Sequence, residues 1–256
     1  GRLTEDMLKA MEVPFTVLDP AAWETQVRGI LRLMTDESRP VAVLIKKGFF
    51  SSFTSPQPNS GAVLSREESL RHLLAVIPSD AFIVSTTGKT SRELYELREE
   101  RAESHAHDFL TVGGMGHTSS IAFGMALGTR EPVYCIDGDG SLLMHLGAIP
   151  VIGQRLPENF RYVLINNGAH ESVGGQPTVA LDADVAAILR ASGFDEVLTV
   201  RERGALDQAA QRLIATPKTA LIVETKPGSR TDLGRPTTTP VENKRAMKHA
   251  FREAPL

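Results

Sequence analysis

Residues 133–169 read VYCIDGDGSLLMHLGAIPVIGQRLPENFRYVLINNGA. Val133-Tyr134-Cys135-Ile136 has the length and character of a buried strand, and Gly138 and Gly140 on either side of Asp139 allow a sharp turn with amides exposed at a helix start. From Ser141 the apolar residues Leu142, Leu143, Leu146, Ile149 and Ile152 recur at helical spacing, and Tyr162-Val163-Leu164-Ile165 is again a strand. Such a unit puts Asp139 and Asn167 at the carboxyl ends of neighbouring parallel strands, on the crevice where open α/β sheets bind ligands. One carboxylate and one amide carbonyl leave a hard cation short of ligands, and Mg²⁺ commonly completes its shell with phosphate oxygens and water. Asp and Asn also shape tight turns unaided. Two such turns, 28 positions apart across one strand-helix-strand unit, favour the shared metal.

Outward from this unit the same alternation continues. Ser65-Arg66-Glu67-Glu68 has the form of a helix cap with acidic residues in the first turn, leading into Leu70, Leu73, Leu74 and Ile77. Residues 81–84 suit a strand, and the polar turn 85–91 opens a helix at Arg92. Later units run through a helix over 182–189, a strand over 196–200, a helix over 205–214 and a strand over 220–224. Strand alternating with helix predicts a doubly wound parallel sheet in residues 66–228. Before it, a helix from Leu3 to Met11 with Thr4 as its cap, a strand at 15–18, a helix over 21–34 and a strand over 40–45 make two crossover units in residues 1–50. That is an incomplete sheet, and the Gly-Arg-Leu-Thr start gives the expectation of a beginning removed. Residues 51–65 turn to Ser, Pro, Gln, Asn and Gly, the composition of a linker. The tail, 229–256, holds one basic helical stretch from Val241 to Arg252, expected to dock on the surface or on a neighbouring subunit.

Composition narrows the partners. At 256 residues, 41% hydrophobic and with a net charge of −3, the chain has no basic excess that would argue for nucleic acid or an anionic membrane. No apolar run is long enough to span a bilayer, no secretory leader stands at Gly1, and the single cysteine excludes an internal disulfide framework. The expectation is a cytoplasmic protein whose partners are small molecules and other subunits, with Cys135 a buried, inert thiol.

GDGS followed by NN after just under thirty residues resembles the thiamin diphosphate fingerprint, and the string NNGAHESVGGQPT resembles its phosphonopyruvate decarboxylase branch, to which the sulfopyruvate decarboxylases are similar. The resemblance covers most of residues 66–228 and, more weakly, the first fifty. It implies a diphosphate-binding domain preceded by the tail of a pyrimidine-binding domain, with thiamin diphosphate and Mg²⁺ as cofactors. Asp139, Asn167 and the backbone carbonyl of Ala169 become the metal ligands, and Gly138, Gly140 and Ser141 border the diphosphate. Met115, between Gly114 and Gly116, matches the apolar wedge that bends the cofactor; a gap-filling core methionine is the plainer reading. The implied reaction converts 3-phosphonopyruvate to phosphonoacetaldehyde and CO₂. Sulfopyruvate, another 2-keto acid, or a noncatalytic role as a truncated assembly partner are the alternatives. The glutamate that activates the cofactor in this family is matched by none of Glu5, Glu12, Glu24 or Glu37, so it is expected upstream of Gly1 or on a partner chain. Sites shared between subunits of a homo-oligomer follow from that.

Other residues carry two readings each. Thr87, Gly88 and Lys89 sit where amides and hydroxyls can take a phosphate, although Lys89 also suits a solvated surface. His117 can donate to a diphosphate or substrate anion, or only cap the helix beginning at Thr118. His170 and Glu171, directly after the metal turn, can move protons or fasten the loop 172–177. His105, His107 and Asp108 have a metal-like spacing, with a polar turn before a strand favoured. GGMGHTSS is an imperfect match to the GxGxxG of a dinucleotide-binding dehydrogenase, and GDGS puts an acid where a pyrophosphate would approach.

Overall fold

The computed structural model describes residues 2–51, 53 and 60–254. The chain divides into two compact units, residues 1–54 and 55–256. Of the expected linker, residues 52 and 54–59 lie outside the described residues.

In the first unit, α1 (Thr4–Ala10), β1 (Phe15–Val17), α2 (Trp23–Asp36) and β2 (Ala42–Leu44) follow in order, and β1 pairs with β2 in parallel. Thr4 does not cap α1. It lies inside the helix, Leu3 holds the cap position, and no side chain bonds the free amides.

The second unit is built on a six-stranded, wholly parallel sheet. Its elements are α3 (Arg66–Val76), β3 (Phe82–Ser85), α4 (Lys89–Glu100), β4 (Asp108–Leu110), α5 (Thr118–Ala126), β5 (Val133–Gly138), α6 (Asp139–Met144), α7 (Ala148–Gly153) and β6 (Phe160–Asn166). After a small antiparallel pair, β7 (Ala169–His170) and β8 (Gln176–Pro177), come α8 (Val185–Ser192), β9 (Glu196–Val200), α9 (Arg203–Ala215), β10 (Thr219–Glu224) and α10 (Pro240–Glu253). The strand order is β4-β3-β5-β6-β10-β9. The chain leaves β3 toward β4 and returns on the opposite side as β5, so the strand order reverses between β3 and β5, where open sheets of this kind bind ligands.

Side chains alternate across each strand and feed two cores. Ile83, Tyr134, Ile136, Val163, Ile165, Leu221 and Val223 face α3, α4 and α9. Phe82, Val84, Cys135, Tyr162, Leu164 and Ile222 face α5 to α8 and Met247 of α10. Both faces are covered, which is why the strands read as continuous apolar runs. The cap of α3 forms as its sequence suggests: Ser65 accepts from the Glu68 amide while Glu68 reaches back to Ser65, a reciprocal arrangement that contributes on the order of 1 kcal/mol. The same box, Thr239 with Glu242, starts α10. This helix docks on its own unit, with Met247 buried and Phe251 against Phe82 at 5.5 Å between ring centroids.

Two helix boundaries differ from expectation. The single helix expected from Ser141 to Ile152 is two, broken at His145–Gly147. In a continuous helix the Pro150 ring would collide with the Leu146 carbonyl; at the third position of α7 its missing N–H costs nothing. Helix α4 starts at Lys89, three residues ahead of Arg92, because Gly88 supplies the turn at φ +96°, a conformation side chains rarely adopt. No described helix is long and apolar enough to cross a membrane.

Candidate active site

At the β3/β5 switch point a cleft of about 470 Å³ is lined by residues from three strand ends. Thr86, Thr87, Lys89 and Thr90 come from the end of β3 and the start of α4; Gly138, Asp139, Gly140 and Ser141 from the β5–α6 turn; Asn167, Ala169, His170 and Glu171 from the turn after β6. Register accounts for the meeting. Gly138 pairs with Ile165 across β5 and β6, so Asp139 and Asn167 leave adjacent strands within one step of each other.

Asp139 is 4% exposed, and its burial holds its carboxyl above the ordinary range, against the hydrogen bond from Thr178 and the local backbone amides. Thr178 Oγ1 donates to Asp139 Oδ2 at 2.5 Å. Asn167 is fixed at both ends of its amide: Oδ1 accepts from the Ala169 amide at 3.0 Å, and Nδ2 donates to Glu171 Oε2 at 2.8 Å. Thr178 N–H bonds the Gly168 carbonyl and Gly175 N–H the His170 carbonyl, while Ala169 stands opposite Pro177, which has no N–H to give. The site thus assembles a buried carboxylate, an amide oxygen and a backbone carbonyl, all hard oxygen donors suited to Mg²⁺.

Glu171 is held on every side. Its carboxylate accepts from Arg66 Nη1, from Asn167 Nδ2 and from the Gly228 amide at 2.5 Å, with Lys89 Nζ 3.9 Å away. Arg66 in turn grips Glu93 side-on, Nε and Nη2 at 2.7 and 2.8 Å. These bonds run to α3, the metal turn and the segment after β10, and none of them to the loop 172–177. His170 lines the cleft against Gly140, where an added Cβ would strike the imidazole, its Cε1 at 2.7 Å. Any side chain at 140 would therefore require the His170 ring to shift. Gly138 holds the cap position of α6 with an extended backbone at φ −116°.

Met115 lines the cleft. Gly116 is behind it, its amide donating to Ser141 Oγ at 3.1 Å. Two expected residues lie elsewhere. His117 is exposed, its ring 4.3 Å from that of His145 and its Nδ1 3.3 Å from the Met115 carbonyl; it occupies the cap position of α5 without a side-chain capping bond. Gly116, just before it, has a positive φ of 87°. Gly88 borders a neighbouring cleft instead. The His105-His107-Asp108 residues are engaged otherwise: Asp108 is taken by Arg98, His105 stacks on Tyr95 at 4.0 Å, and among the described residues no cluster of three or more His, Cys, Asp and Glu that could hold a metal occurs. Cys135 is buried, and burial pushes its thiol well up, as an inert thiol requires.

Arg66, Glu93 and Thr178 were not found by sequence reasoning. Arg66 did leave a signal, a cation in the first turn of a helix where the dipole disfavours one.

The family model described as "Thiamine pyrophosphate enzyme, C-terminal TPP binding domain" matches residues 86–224. The phosphonopyruvate decarboxylases of Streptomyces viridochromogenes and Streptomyces hygroscopicus are 33% and 39% identical, over 97% and 74% of this chain. The chain spans 66% and 46% of their lengths. The sulfopyruvate decarboxylase subunit beta of Methanococcus maripaludis is 30% identical over 64% of this chain and 85% of that subunit. Among solved structures, the benzoylformate decarboxylase of Polynucleobacter necessarius shares the fold, with a TM-score of 0.56 and 18% identity over 85% of this chain and 45% of that one. Strand order, the cleft at its reversal and these matches agree: the chain belongs to the thiamine pyrophosphate enzymes and carries their C-terminal TPP binding domain.

Proposed function

We propose that this chain is the diphosphate-binding part of a thiamin diphosphate- and Mg²⁺-dependent decarboxylase that converts 3-phosphonopyruvate to phosphonoacetaldehyde and CO₂ in phosphonate metabolism. The observation that carries the site is the convergence of the Asp139 carboxylate, the Asn167 amide and Ala169 on one cleft. Likeness to the two phosphonopyruvate decarboxylases supports the substrate.

The thiazolium of thiamin diphosphate supplies the electron sink that loss of CO₂ from a 2-keto acid demands and that side chains lack. This chain's residues supply position and charge. Asp139, Asn167 and the Ala169 carbonyl hold the metal, and Gly138, Gly140 and Ser141 border the diphosphate together with Thr87 and the first amides of α4 at Lys89. Met115, which lines the cleft, would offer the cofactor an apolar surface. His170, the imidazole bordering the cleft, is the group placed to move a proton near neutral pH. Glu171, engaged by Arg66, Asn167 and Gly228, positions the metal turn. Residues 1–50 form the tail of a pyrimidine-binding domain, and the activating glutamate is contributed from outside this sequence, so the site is completed between subunits of a cytoplasmic homo-oligomer.

A sulfopyruvate substrate is the second reading, favoured by the 85% coverage of the Methanococcus subunit. Assaying the complete protein side by side with phosphonopyruvate, sulfopyruvate and pyruvate separates the two, and preference for pyruvate overturns both. Asp139→Ala is expected to abolish Mg²⁺-dependent thiamin diphosphate binding in a calorimetric titration while the far-ultraviolet spectrum is kept. Unaltered binding in that variant removes the site.

A further inference from the structure

On the far side of β3 from the metal turn, a second cleft of about 810 Å³ opens at the carboxyl ends of β3 and β4. Thr87 borders both clefts, so the two adjoin. The second is lined by Arg92 of α4 and by Arg235 from the segment before α10, and by no acidic side chain. Neither arginine has a carboxylate within ion-pair distance among the described residues, whereas Arg66, Arg98, Arg201 and Arg230 each hold at least one. The surroundings are donors as well. Thr111 is 4% exposed and its Oγ1 has no hydrogen-bond partner among the described residues. Asn243 spends its amide oxygen on Thr238 Oγ1, which leaves its NH₂ to give.

The first turn of α4 deepens the contrast. It contains Lys89 and Arg92 and no acid, although a helix start favours anions and disfavours cations. Arg66, in the corresponding part of α3, is compensated by Glu93 and Glu171; Arg92 has nothing comparable. Two uncompensated guanidiniums, a helix start and a buried unpaired hydroxyl, in a chain whose net charge is −3, describe a place kept for an anion.

We propose that this cleft is an oxyanion subsite that receives the tetrahedral acid group on the third carbon of the substrate, a phosphonate or a sulfonate. The assignment rests on the decarboxylase reading above. Only one methylene separates that acid group from the keto carbon, so its subsite must adjoin the cofactor cleft, as this one does at Thr87. Arg92 and Arg235 supply the charge, and Thr111 and Asn243 supply directed donors that a simple 2-keto acid would leave unused.

The test uses the complete holoenzyme with Arg92→Gln, Arg235→Gln, the double variant and the near-isosteric Thr111→Val. The kcat/KM ratio of 3-phosphonopyruvate to pyruvate, and of sulfopyruvate to pyruvate, is expected to fall at least tenfold in the double variant and less in Thr111→Val. Methylphosphonate and methanesulfonate, which carry the acid group without the keto group, are titrated against the same proteins. The tighter of the two in the wild type names the acid group served, and its binding is expected to weaken at least tenfold in the double variant. Ratios and probe binding within twofold of wild type overturn the subsite. Should the wild type turn over neither acidic substrate, the decarboxylase reading falls, and the probe titration alone decides: loss in the double variant supports an oxyanion site, equal binding removes it.

Discussion

Two buried arginines in this domain are wired alike and serve different ends. Arg66 presents Nε and Nη2 to Glu93 and Nη1 to Glu171; Arg98 presents Nε and Nη2 to Asp108, at 3.1 and 3.0 Å, and Nη1 to Glu103 at 2.7 Å. Both side chains are 5% exposed or less. The difference lies in what the second carboxylate touches next. Glu103 ends on Arg101, at 2.7 Å, near the surface. Glu171 goes on to the Asn167 amide and the Gly228 backbone, so the first triad ties α3, α4 and the segment after β10 to the metal turn. Burial alone therefore does not mark a functional charge. The destination of its hydrogen bonds does.

Arg98→Met strands Asp108, which is 1% exposed, without its partner, and the expected loss is about 3–5 kcal/mol in urea unfolding. Mg²⁺-dependent thiamin diphosphate binding by the folded fraction is expected to stay at the wild-type level. Arg66→Met should cost a similar amount of stability and also weaken that binding by about tenfold or more, because Glu171 loses the charge that holds it. Equal binding losses in the two variants would erase the distinction. Glu171→Gln keeps the shape and sharpens the comparison: Mg²⁺ affinity is expected to fall by about 10–100-fold in calorimetry, with a smaller change in melting temperature than in either arginine variant.

The smallest effect belongs to His105, at the edge of the Arg98 triad. The Asp108 carboxylate, 3.9 Å from its Nδ1, raises its pKa above the ordinary value, with burial opposing and the hydrogen bond to Glu99 adding to the rise; the ring also stacks on Tyr95. A raised imidazole pKa stabilises the fold fully below the unfolded value and is lost as pH rises through the folded one. Melting temperature should therefore drift down as pH rises above about 6.5, the ordinary imidazole value, and His105→Asn should flatten that drift, by under about 1 kcal/mol for a partly exposed pair. A steeper slope in the variant would contradict the assignment.

Periodicity exposed the doubly wound sheet because both of its faces are covered, leaving strands as unbroken apolar runs between amphipathic helices. The Asp139–Asn167 meeting was legible for the same reason, since neighbouring parallel strands align their ends. What escaped was long-range. Thr178 reaches Asp139 across 39 positions and Arg66 reaches Glu171 across 105, and no local pattern records such partners. Pro150, visible in the sequence, was outvoted by helical spacing that runs straight across the break. His117 sat in a plausible string that does not record its exposure to solvent.

The contact between Gly140 and the His170 ring links two segments thirty positions apart into one unit of design. A side chain at 140 needs volume now filled by the imidazole, so the first position cannot be enlarged while the ring stays where it is. Enlarging the first requires the ring to move or to be cut back, and an engineer who replaced His170 by alanine would open room for a methyl at 140.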